Sequence, residues 1–288
     1  METVHIAVIG GSGLYNMPEI ADIKRYEFDT PFGRPSAAIV VGTLRGKRVA
    51  FLPRHGIGHV FTPSTVPYRA NIYALKQLGV RQIIAVNACG SLREDYAPGH
   101  IVMPHQLVDY TKADRGRSFF EDGLVTHISV ADPFCATLRE VSYATVRRAG
   151  GSAHADGTFV IVEGPRFSTR GESQIFRHLG CDIIGMTTCP EAFLAREAEM
   201  CYASMAHITD YDVWHTSEAP VTVDMVVETL HQNLETAQQA LANCVETLDA
   251  ERFCDCHHAL DNAIMTDHHH VSPDAVARLR PIVGRFFD

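Results

Sequence analysis

Two carboxylates stand close together at the end of an apolar run. Asp210 and Asp212 follow the sequence CYASMAHIT, which is typical of a buried strand. Burial beside apolar residues favours the neutral form of a carboxylic acid, and a second carboxylate nearby raises the pKa of one of the two further. A protonated Asp210 can donate to a ring nitrogen while its partner accepts from an exocyclic amine. A loop turn with a helix-capping Asp is the alternative that the motif leaves open.

Two other segments are candidates for binding an anion. The sequence GGSG at residues 10–13 follows a β-branched run, and its backbone N–H groups and the Ser12 hydroxyl can hold a phosphate. Asn16 breaks the G-x-G-x-x-G spacing of a dinucleotide site, and no Gly-Lys-Ser/Thr of a Walker loop is present. Arg54 offers a two-pronged donor that fits phosphate, and His55 adds a donor that can be charged. A turn without a ligand and a solvated Arg are the alternatives.

Further polar or aromatic residues follow other predicted strands. Asn87 and Ala88 end one strand, and Thr187 follows another with a hydroxyl and a backbone donor. Phe167 can present its ring to a planar base, although it can equally fill the core. His59 can line the same cleft as the Arg-His pair, but alone it is more typical of a structural residue.

These residues must be positioned by alternating strands and helices. Strands are predicted at residues 4–9, 37–41, 48–52, 81–87, 101–103, 107–108, 158–162, 183–186 and 202–209, the second and third as a hairpin around the turn sequence LRG at 44–46. Helices are predicted at residues 68–78, 133–149, 170–179, 190–199 and 221–248. The first is expected to be capped by the preceding sequence STVP, and the last is one helix or two. This alternation indicates an α/β fold with a largely parallel sheet, in which ligands bind at the carboxyl ends of strands. No linker precedes residue 250, so we expect one domain over residues 1–250 and a tail over 251–288.

Composition narrows the class of protein. Hydrophobic residues make up 46% of the 288 residues and charged residues 20%, which are ordinary values for a soluble globular protein. The net charge of −9 argues against nucleic acid as a partner. No apolar stretch is long enough to cross a membrane, and the N-terminus reads as a strand rather than a signal peptide. Six of the eight cysteines lie among apolar neighbours, which indicates reduced thiols and a cytoplasmic protein.

Taken together, the motifs resemble the purine nucleoside phosphorylase family, in particular its methylthioadenosine-cleaving branch. The resemblance spans residues 4 to about 245 and rests on the segments IGGSGLY, LPRHGIGH, PSTVPYRANIYALKQLGV, NACGSLRE, VIVEGPRFSTRGES, MTTCPEAFLAREAEMCYAS and TDYDVW. It implies a single-domain nucleoside phosphorylase fold, a twisted mixed β-sheet surrounded by helices. It also implies a cytoplasmic homotrimer in which a neighbouring subunit helps to close the site. We expect the segment 109–120, which has few apolar residues, to serve that interface rather than the core.

The activity that the resemblance implies is phosphorolysis of S-methyl-5′-thioadenosine to adenine and S-methyl-5-thio-α-D-ribose 1-phosphate. Such a pentosyltransferase serves purine and methionine salvage, takes phosphate as a co-substrate and needs no cofactor or metal. The phosphate ligands are expected to be Ser12, Arg54, His55, Asn87, Ala88 and Thr187. The nucleoside is expected to contact His59, Phe167, Ser168, Met186, Asp210, Asp212, Val223 and Val226, the two valines forming an apolar pocket for the methylthio group.

The chemistry of the residues agrees with this activity. Breaking the glycosidic bond builds positive charge on the ribose, which an anchored phosphate dianion stabilises before it captures C1′. The departing purine needs a proton at N7, and Asp210 is the expected catalytic acid. The alternatives are a 6-oxopurine or methylthioinosine phosphorylase, a nucleoside-binding protein without turnover, and a hydrolase indifferent to phosphate. Phosphorylases of 6-oxopurines typically have Asn where this chain has Asp210.

The C-terminal tail contains possible metal ligands that the resemblance does not use. Cys254, Cys256 and five histidines lie within FCDCHHALDNAIMTDHHH. A Cys-x-Cys sequence without a second cysteine pair does not match common zinc spacing, so no metal is expected. A disulfide between the two tail cysteines stays open, because Cys-x-Cys also occurs in some relatives with extended tails. The favoured interpretation is a reduced, structural tail that packs on the domain or on a neighbouring subunit.

Overall fold

The sheet is organised by one long strand, β5 (Gln82–Ser91). It pairs in parallel with β1 (Ile6–Gly10) and β11 (Cys201–Asp210), and near its end it pairs antiparallel with β10 (Ile183–Gly185). This computed structural model describes residues 2–11, 17–121, 123–215, 221–249 and 251–287. Ser12 of the GGSG sequence lies outside the described residues.

The remaining strands extend this centre in both directions. On one side β1 is followed by β4 (Lys47–Pro53), β3 (Ile39–Leu44) and β2 (Ala21–Tyr26). On the other side β10 is followed by β9 (Thr158–Ile161) and β7 (Gln106–Asp109), while β11 continues into β6 (Ile101–Val102) and β8 (Ala153–His154). The sheet contains parallel and antiparallel pairs. The mixed sheet that the family resemblance implies is therefore confirmed.

Seven α-helices lie in the described part of the chain. They are α1 (Tyr68–Gln77), α2 (Ala136–Arg148), α3 (Arg170–His178), α4 (Thr188–Glu197), α5 (Val223–Gln232), α6 (Leu234–Thr247) and α7 (Pro273–Phe287). The helix predicted over residues 221–248 is two helices that meet at Asn233. None of these helices has the length and apolar character needed to cross a membrane.

The hairpin predicted near Gly46 is present and has a local cause. Arg45 and Gly46 join β3 to β4 with φ angles of 49° and 75°. Positive φ at both turn residues is typical of a type I′ turn, whose twist matches that of the flanking strands. The predicted side-chain cap of α1 is wrong, because Pro67 precedes that helix and no side chain caps it. The Ser64 hydroxyl instead donates to the Glu163 carboxylate.

The core lies on both faces of the sheet. Alternate residues of β1 point to opposite faces, so Ala7 and Ile9 pack in one hydrophobic cluster and Ile6 and Val8 in another. The first cluster includes apolar residues of α1 and α4, and the second includes residues of α2 and α6. The two helix layers thus hold β5 between them.

The tail packs on its own chain. Leu260, Leu279 and Ile282 are buried in the same cluster as α1 and α4. The Tyr73 hydroxyl donates to the Arg278 carbonyl at 2.7 Å. The tail therefore shares the core of residues 1–250 in these contacts, while the proposed division into domain and tail remains a prediction.

Candidate active site

A cleft reaches the middle of the sheet at β5. Every residue of this strand is buried except Val86, which is half-buried, and Ala88, which is exposed. Exposure within a central strand that has neighbours on both sides means that solvent reaches its carboxyl-terminal half. This is the edge at which ligands bind in open α/β sheets.

Arg54 lies at the end of β4 in a buried ion pair that sequence reasoning missed. Its Nε and Nη2 atoms donate to the two carboxylate oxygens of Glu191 at 2.7 and 2.8 Å, and both side chains are at most 3% exposed. The Tyr202 hydroxyl also donates to Glu191, at 2.7 Å. Further guanidinium bonds go to the carbonyls of Val86 and Ile9. Four of the five N–H groups of Arg54 thus have partners, and one on Nη1 has none among the residues that the structure describes.

Asn87 and Thr187 form a second polar group at the same edge. The Asn87 amide donates from Nδ2 to Thr187 Oγ1 at 3.1 Å, and its Oδ1 accepts from the Ser204 hydroxyl at 2.8 Å. Thr187 precedes α4 and makes no side-chain cap bond with that helix. Because its oxygen accepts from Asn87, the Thr187 hydroxyl proton is turned toward another acceptor. The structure therefore places Asn87 where it orients Thr187.

The surroundings of His55 favour its neutral imidazole form. Burial, with a further contribution from the Arg54 charge, lowers its pKa to about 4. Its Nδ1 lies 2.8 Å from the Phe61 carbonyl oxygen, which can only accept, so Nδ1 carries the proton. The Nε2 atom then carries a lone pair and can only accept a hydrogen bond. His59, exposed and with φ of 58°, stacks on this ring at a centroid distance of 4.2 Å.

Asp210 is the last residue of β11 and is buried. Burial raises its pKa to about 6, and the charge of Asp212 contributes to the rise. Its Oδ1 accepts from the Asp212 backbone N–H at 2.8 Å. The Thr209 hydroxyl donates to Asp210 Oδ2 at 2.7 Å, a bond that favours the carboxylate and opposes the rise in the Asp210 pKa. The same hydroxyl lies 3.2 Å from the Cys89 carbonyl oxygen.

Asp212 and Asp210 form an acidic pair for which the described residues provide no ion-pair partner. It is 7% exposed, has φ of 51°, and burial raises its pKa. Its Oδ2 atom is buried and has no hydrogen-bond partner within the described residues. A buried acceptor without a partner is costly unless a ligand satisfies it. Gly90 lies against the pair: a Cβ there would be 2.9 Å from Asp210 Oδ1 and 3.2 Å from Asp212 Cβ.

The loop after β9 carries the predicted base-stacking residues. Phe167 is 36% exposed and Ser168 is half-buried. Thr169 forms a capping box with Glu172 at the start of α3, which fixes the end of this loop. Phe167 therefore stands free of the core, as a stacking surface requires.

Arg115 joins this loop to the rest of the site, a role that the sequence did not reveal. It donates to the Met186 carbonyl at 2.6 Å and to the Glu163 carboxylate at 3.1 Å. Its side chain is fully buried. The segment 109–120 also places Phe119 and Phe120 in the main core, so the expectation that it has too few apolar residues for the core is wrong.

The two predicted methylthio-pocket residues begin α5. Val223 is exposed and Val226 is half-buried. The Thr229 hydroxyl on the same helix lies 3.3 Å from the Thr209 carbonyl oxygen, directly before Asp210. This contact places the second half of α5 against the end of β11.

Sequence reasoning missed Glu191, Tyr202, Arg115 and Glu163 because their partners are distant in the chain. Arg54 and Glu191 are separated by 137 residues. The one available signal was the position of Glu191, four residues after Thr187 in a predicted helix. The cleft as a whole offers hydrogen-bond donors at one end and a desolvated carboxylate pair at the other.

The chain belongs to the phosphorylase superfamily, whose sequence profile matches residues 5–248. Relatives from Geobacter sulfurreducens and Chloroflexus aurantiacus, both named S-methyl-5′-thioadenosine phosphorylase, are each 49% identical to it. The alignments cover 99% and 100% of this chain and the whole of each relative. These matches confirm the family resemblance.

Solved structures agree with this assignment. A methylthioadenosine phosphorylase from an antarctic soil metagenomic library has a TM-score of 0.93 and 45% identity, covering 98% of this chain and 99% of that one. The enzyme from Schistosoma mansoni in complex with adenine has a TM-score of 0.84 and 38% identity, covering 90% of this chain and 96% of that one.

Proposed function

We propose that this protein cleaves S-methyl-5′-thioadenosine with inorganic phosphate and releases adenine and S-methyl-5-thio-α-D-ribose 1-phosphate. The observation that carries the proposal is Asp210, a buried carboxylic acid with a pKa raised to about 6. It stands beside an Asp212 oxygen that has no hydrogen-bond partner among the described residues, in a chain 49% identical to enzymes named for this reaction. A donor and an acceptor side by side match N7 and the 6-amino group of adenine.

The phosphate end would hold the attacking dianion. The Thr187 hydroxyl, the Ala88 backbone and the remaining Arg54 N–H would donate to phosphate oxygens, and Ser12 would add a hydroxyl. The His55 Nε2 lone pair would accept from a protonated phosphate oxygen. Positive charge that develops on the ribose is then stabilised by the phosphate beneath it. The positive charge of Arg54 is balanced by Glu191. The phosphate would therefore be held mainly by hydrogen bonds rather than by a net positive charge.

The base end would supply the leaving-group proton. Purine N7 would accept the proton of Asp210, and proton transfer neutralises the departing base. Asp212 Oδ2 accepts from the 6-amino group, which satisfies that buried acceptor. Phe167 stacks on the purine with Ser168 nearby, and His59 and Met186 border the ribose.

The rim of the site supports a homotrimer and an alkylthio pocket. Ile57, Val60, Val223 and Val227 are exposed apolar residues of the loop after β4 and of α5. Exposed apolar side chains of this kind are typical of a surface that a ligand or another subunit covers. Val223 and Val226 would contact the methylthio group. We further propose that the protein is a cytoplasmic homotrimer that serves purine and methionine salvage. A monomer with full activity in light scattering at micromolar concentration would contradict this assembly.

Adenine release tests the proposed reaction. Purified protein is incubated with methylthioadenosine with and without inorganic phosphate, and adenine and the sugar phosphate are quantified. We expect adenine only with phosphate, in equal amounts with methylthioribose 1-phosphate. Release at the same rate without phosphate would indicate a hydrolase. Nucleoside binding without release under either condition would indicate a binding protein and would overturn the proposal.

A further inference from the structure

Four cysteines that are distant in the sequence meet in the structure. The sulfur atoms of Cys135, Cys201, Cys254 and Cys256 all lie within 4.8 Å of one another. Cys135 precedes α2, Cys201 begins β11, and the other two belong to the tail. Three of the four are buried, and none is in a disulfide. The Cys135 and Cys254 sulfurs are 3.7 Å apart.

This spacing fits four ligands of one metal ion. A zinc ion bound 2.3 Å from each of four thiolates separates the sulfurs by about 3.8 Å in a tetrahedron. A disulfide instead requires sulfurs about 2.05 Å apart and joins them only in pairs. Four sulfurs that converge from three parts of a chain are typical of a structural zinc site. We propose that Cys135, Cys201, Cys254 and Cys256 bind one zinc ion as a tetrathiolate.

Residues around the cluster favour thiolates. Arg81 Nη2 lies 3.0 Å from His257 Nδ1, and a guanidinium can only donate, so Nδ1 accepts and Nε2 carries the proton. That Nε2 lies 3.5 Å from the Cys201 sulfur and 3.3 Å from the Arg81 carbonyl oxygen. Hydrogen bonds from such N–H groups stabilise metal-bound ligands. The neighbouring guanidinium also offsets the net negative charge of a zinc tetrathiolate.

A small cavity borders the four-cysteine cluster. A cavity of about 20 Å³ is lined by Cys135, Cys201, Cys254 and Arg252, among other residues. It provides an entry path, which a metal site requires.

The site would fasten the tail to the catalytic domain rather than take part in catalysis. Cys201 and Asp210 are the first and last residues of the 10-residue strand β11, which puts them about 30 Å apart. The sequence-based expectation of no metal relied on the absence of a second local cysteine pair. That expectation overlooked ligands as far apart as Cys135 and Cys254, which are separated by 119 residues.

Metal analysis of the whole protein tests this proposal. Protein purified without added metal or chelator should contain about one zinc per chain. Cys254→Ser and Cys135→Ser should lower that content to near zero. Cys181→Ser is the matched control, because Cys181 is a buried cysteine in a different hydrophobic cluster, and it should retain the zinc. Zinc that persists in both cluster variants, or that is lost only when residues 268–270 are replaced by alanine, would overturn the proposal.

A second measurement uses the unmodified chain, in case the cluster variants do not fold. A chelator should release zinc, and four thiols should become reactive toward a thiol reagent as the zinc is released. Cobalt added to the zinc-free protein should give the absorption of a tetrahedral thiolate complex. Metal-free protein as purified, with either four free thiols or two disulfides by mass, would overturn the assignment. Stoichiometric iron in place of zinc would also overturn it.

Discussion

The two ends of the cleft differ in how their charged and polar side chains are paired. At the end that we propose for phosphate, Arg54 is held by Glu191 and Asn87 is held by Thr187 and Ser204, so charges are paired and side chains are fixed. At the end that we propose for the base, Asp210 and Asp212 are buried. Within the described chain they have no ion-pair partner, and one of their carboxylate oxygens has no hydrogen-bond partner.

This difference reflects what each end has to do. An anion must be bound tightly in one orientation, and donors that are already in place cost little entropy when it binds. A leaving group must instead receive a proton, which requires an acid whose pKa lies near the working pH. Burial without a counter-charge raises the pKa of a carboxylic acid in this way. Rigidity at one end and desolvation at the other are therefore two separate properties that substitutions can test.

Asp210→Asn should have the largest effect. An amide keeps the size of the side chain but cannot supply an acidic proton, so kcat/KM for methylthioadenosine should fall by about 10²–10⁴-fold. The phosphate KM should change little, because the phosphate end is untouched. The residual activity should shift toward 6-oxopurine nucleosides. An Asp210→Asn variant with wild-type turnover of methylthioadenosine would show that another group protonates the base.

Arg54→Ala should act mainly on phosphate. Loss of one charged hydrogen bond, worth about 1.5–3 kcal/mol, should raise the phosphate KM by roughly 10- to 100-fold. It should also destabilise the fold by about 3–5 kcal/mol, because the Glu191 carboxylate is left buried and unpaired.

The double variant Arg54→Ala/Glu191→Gln separates these two effects. It removes the unpaired charge, so part of the lost stability in thermal unfolding should return while the phosphate KM stays high. If phosphate kinetics recover together with stability, Arg54 has a structural role only.

Gly90→Ala tests the packing behind the acidic pair. The added Cβ would lie 2.9 Å from Asp210 Oδ1, so this carboxylate must shift and weaken its bond from the Asp212 N–H. A displacement of about 1 Å costs up to 10²-fold, and we expect about tenfold in kcat. Gly171→Ala is the control, because its Cβ meets only Thr169 Oγ1 at 3.9 Å. Equal kcat values for the two variants would mean that the position of Asp210 is not limiting.

The pH profile measures the proton directly. The Asp210 pKa is raised to about 6, so the acid is protonated below pH 6 and its protonated fraction falls tenfold per pH unit well above it. The value of kcat/KM for methylthioadenosine should decline with that slope above about pH 6. In Asp210→Asn this decline should disappear, and any effect of phosphate ionisation common to both proteins cancels in the comparison. Parallel profiles for the two proteins would exclude Asp210 as the titrating group.

The sequence predicted the framework of this cleft better than its interior. The hairpin around Gly46 and the buried strand before Asp210 follow from local patterns of turn residues and apolar runs. The candidate residues at strand ends follow from where ligands bind in α/β sheets. These features need only information from neighbouring residues, which explains why the predictions agree with the structure.

Long-range pairs could not be predicted in this way. Glu191 neutralises Arg54, and Arg115 ties Glu163 to Met186, but each pairing depends on how distant segments pack. The lowered pKa of His55 likewise depends on burial, and the position of its ring proton depends on the Phe61 carbonyl, neither of which is visible in the sequence.

Base specificity of the unmodified protein tests the central claim most directly. A carboxylate pair with one proton can donate to N7 and accept from a 6-amino group, whereas a 6-oxo group presents a second acceptor to the ionised carboxylate. Sites built on such a bond reject the wrong partner by about 10⁴-fold. Methylthioadenosine and methylthioinosine differ in the group at the 6-position of the purine. The measurement is kcat/KM for each of these two nucleosides at saturating phosphate. We expect methylthioadenosine to be favoured by about that factor; equal or faster cleavage of methylthioinosine would contradict the account and favour a 6-oxopurine phosphorylase.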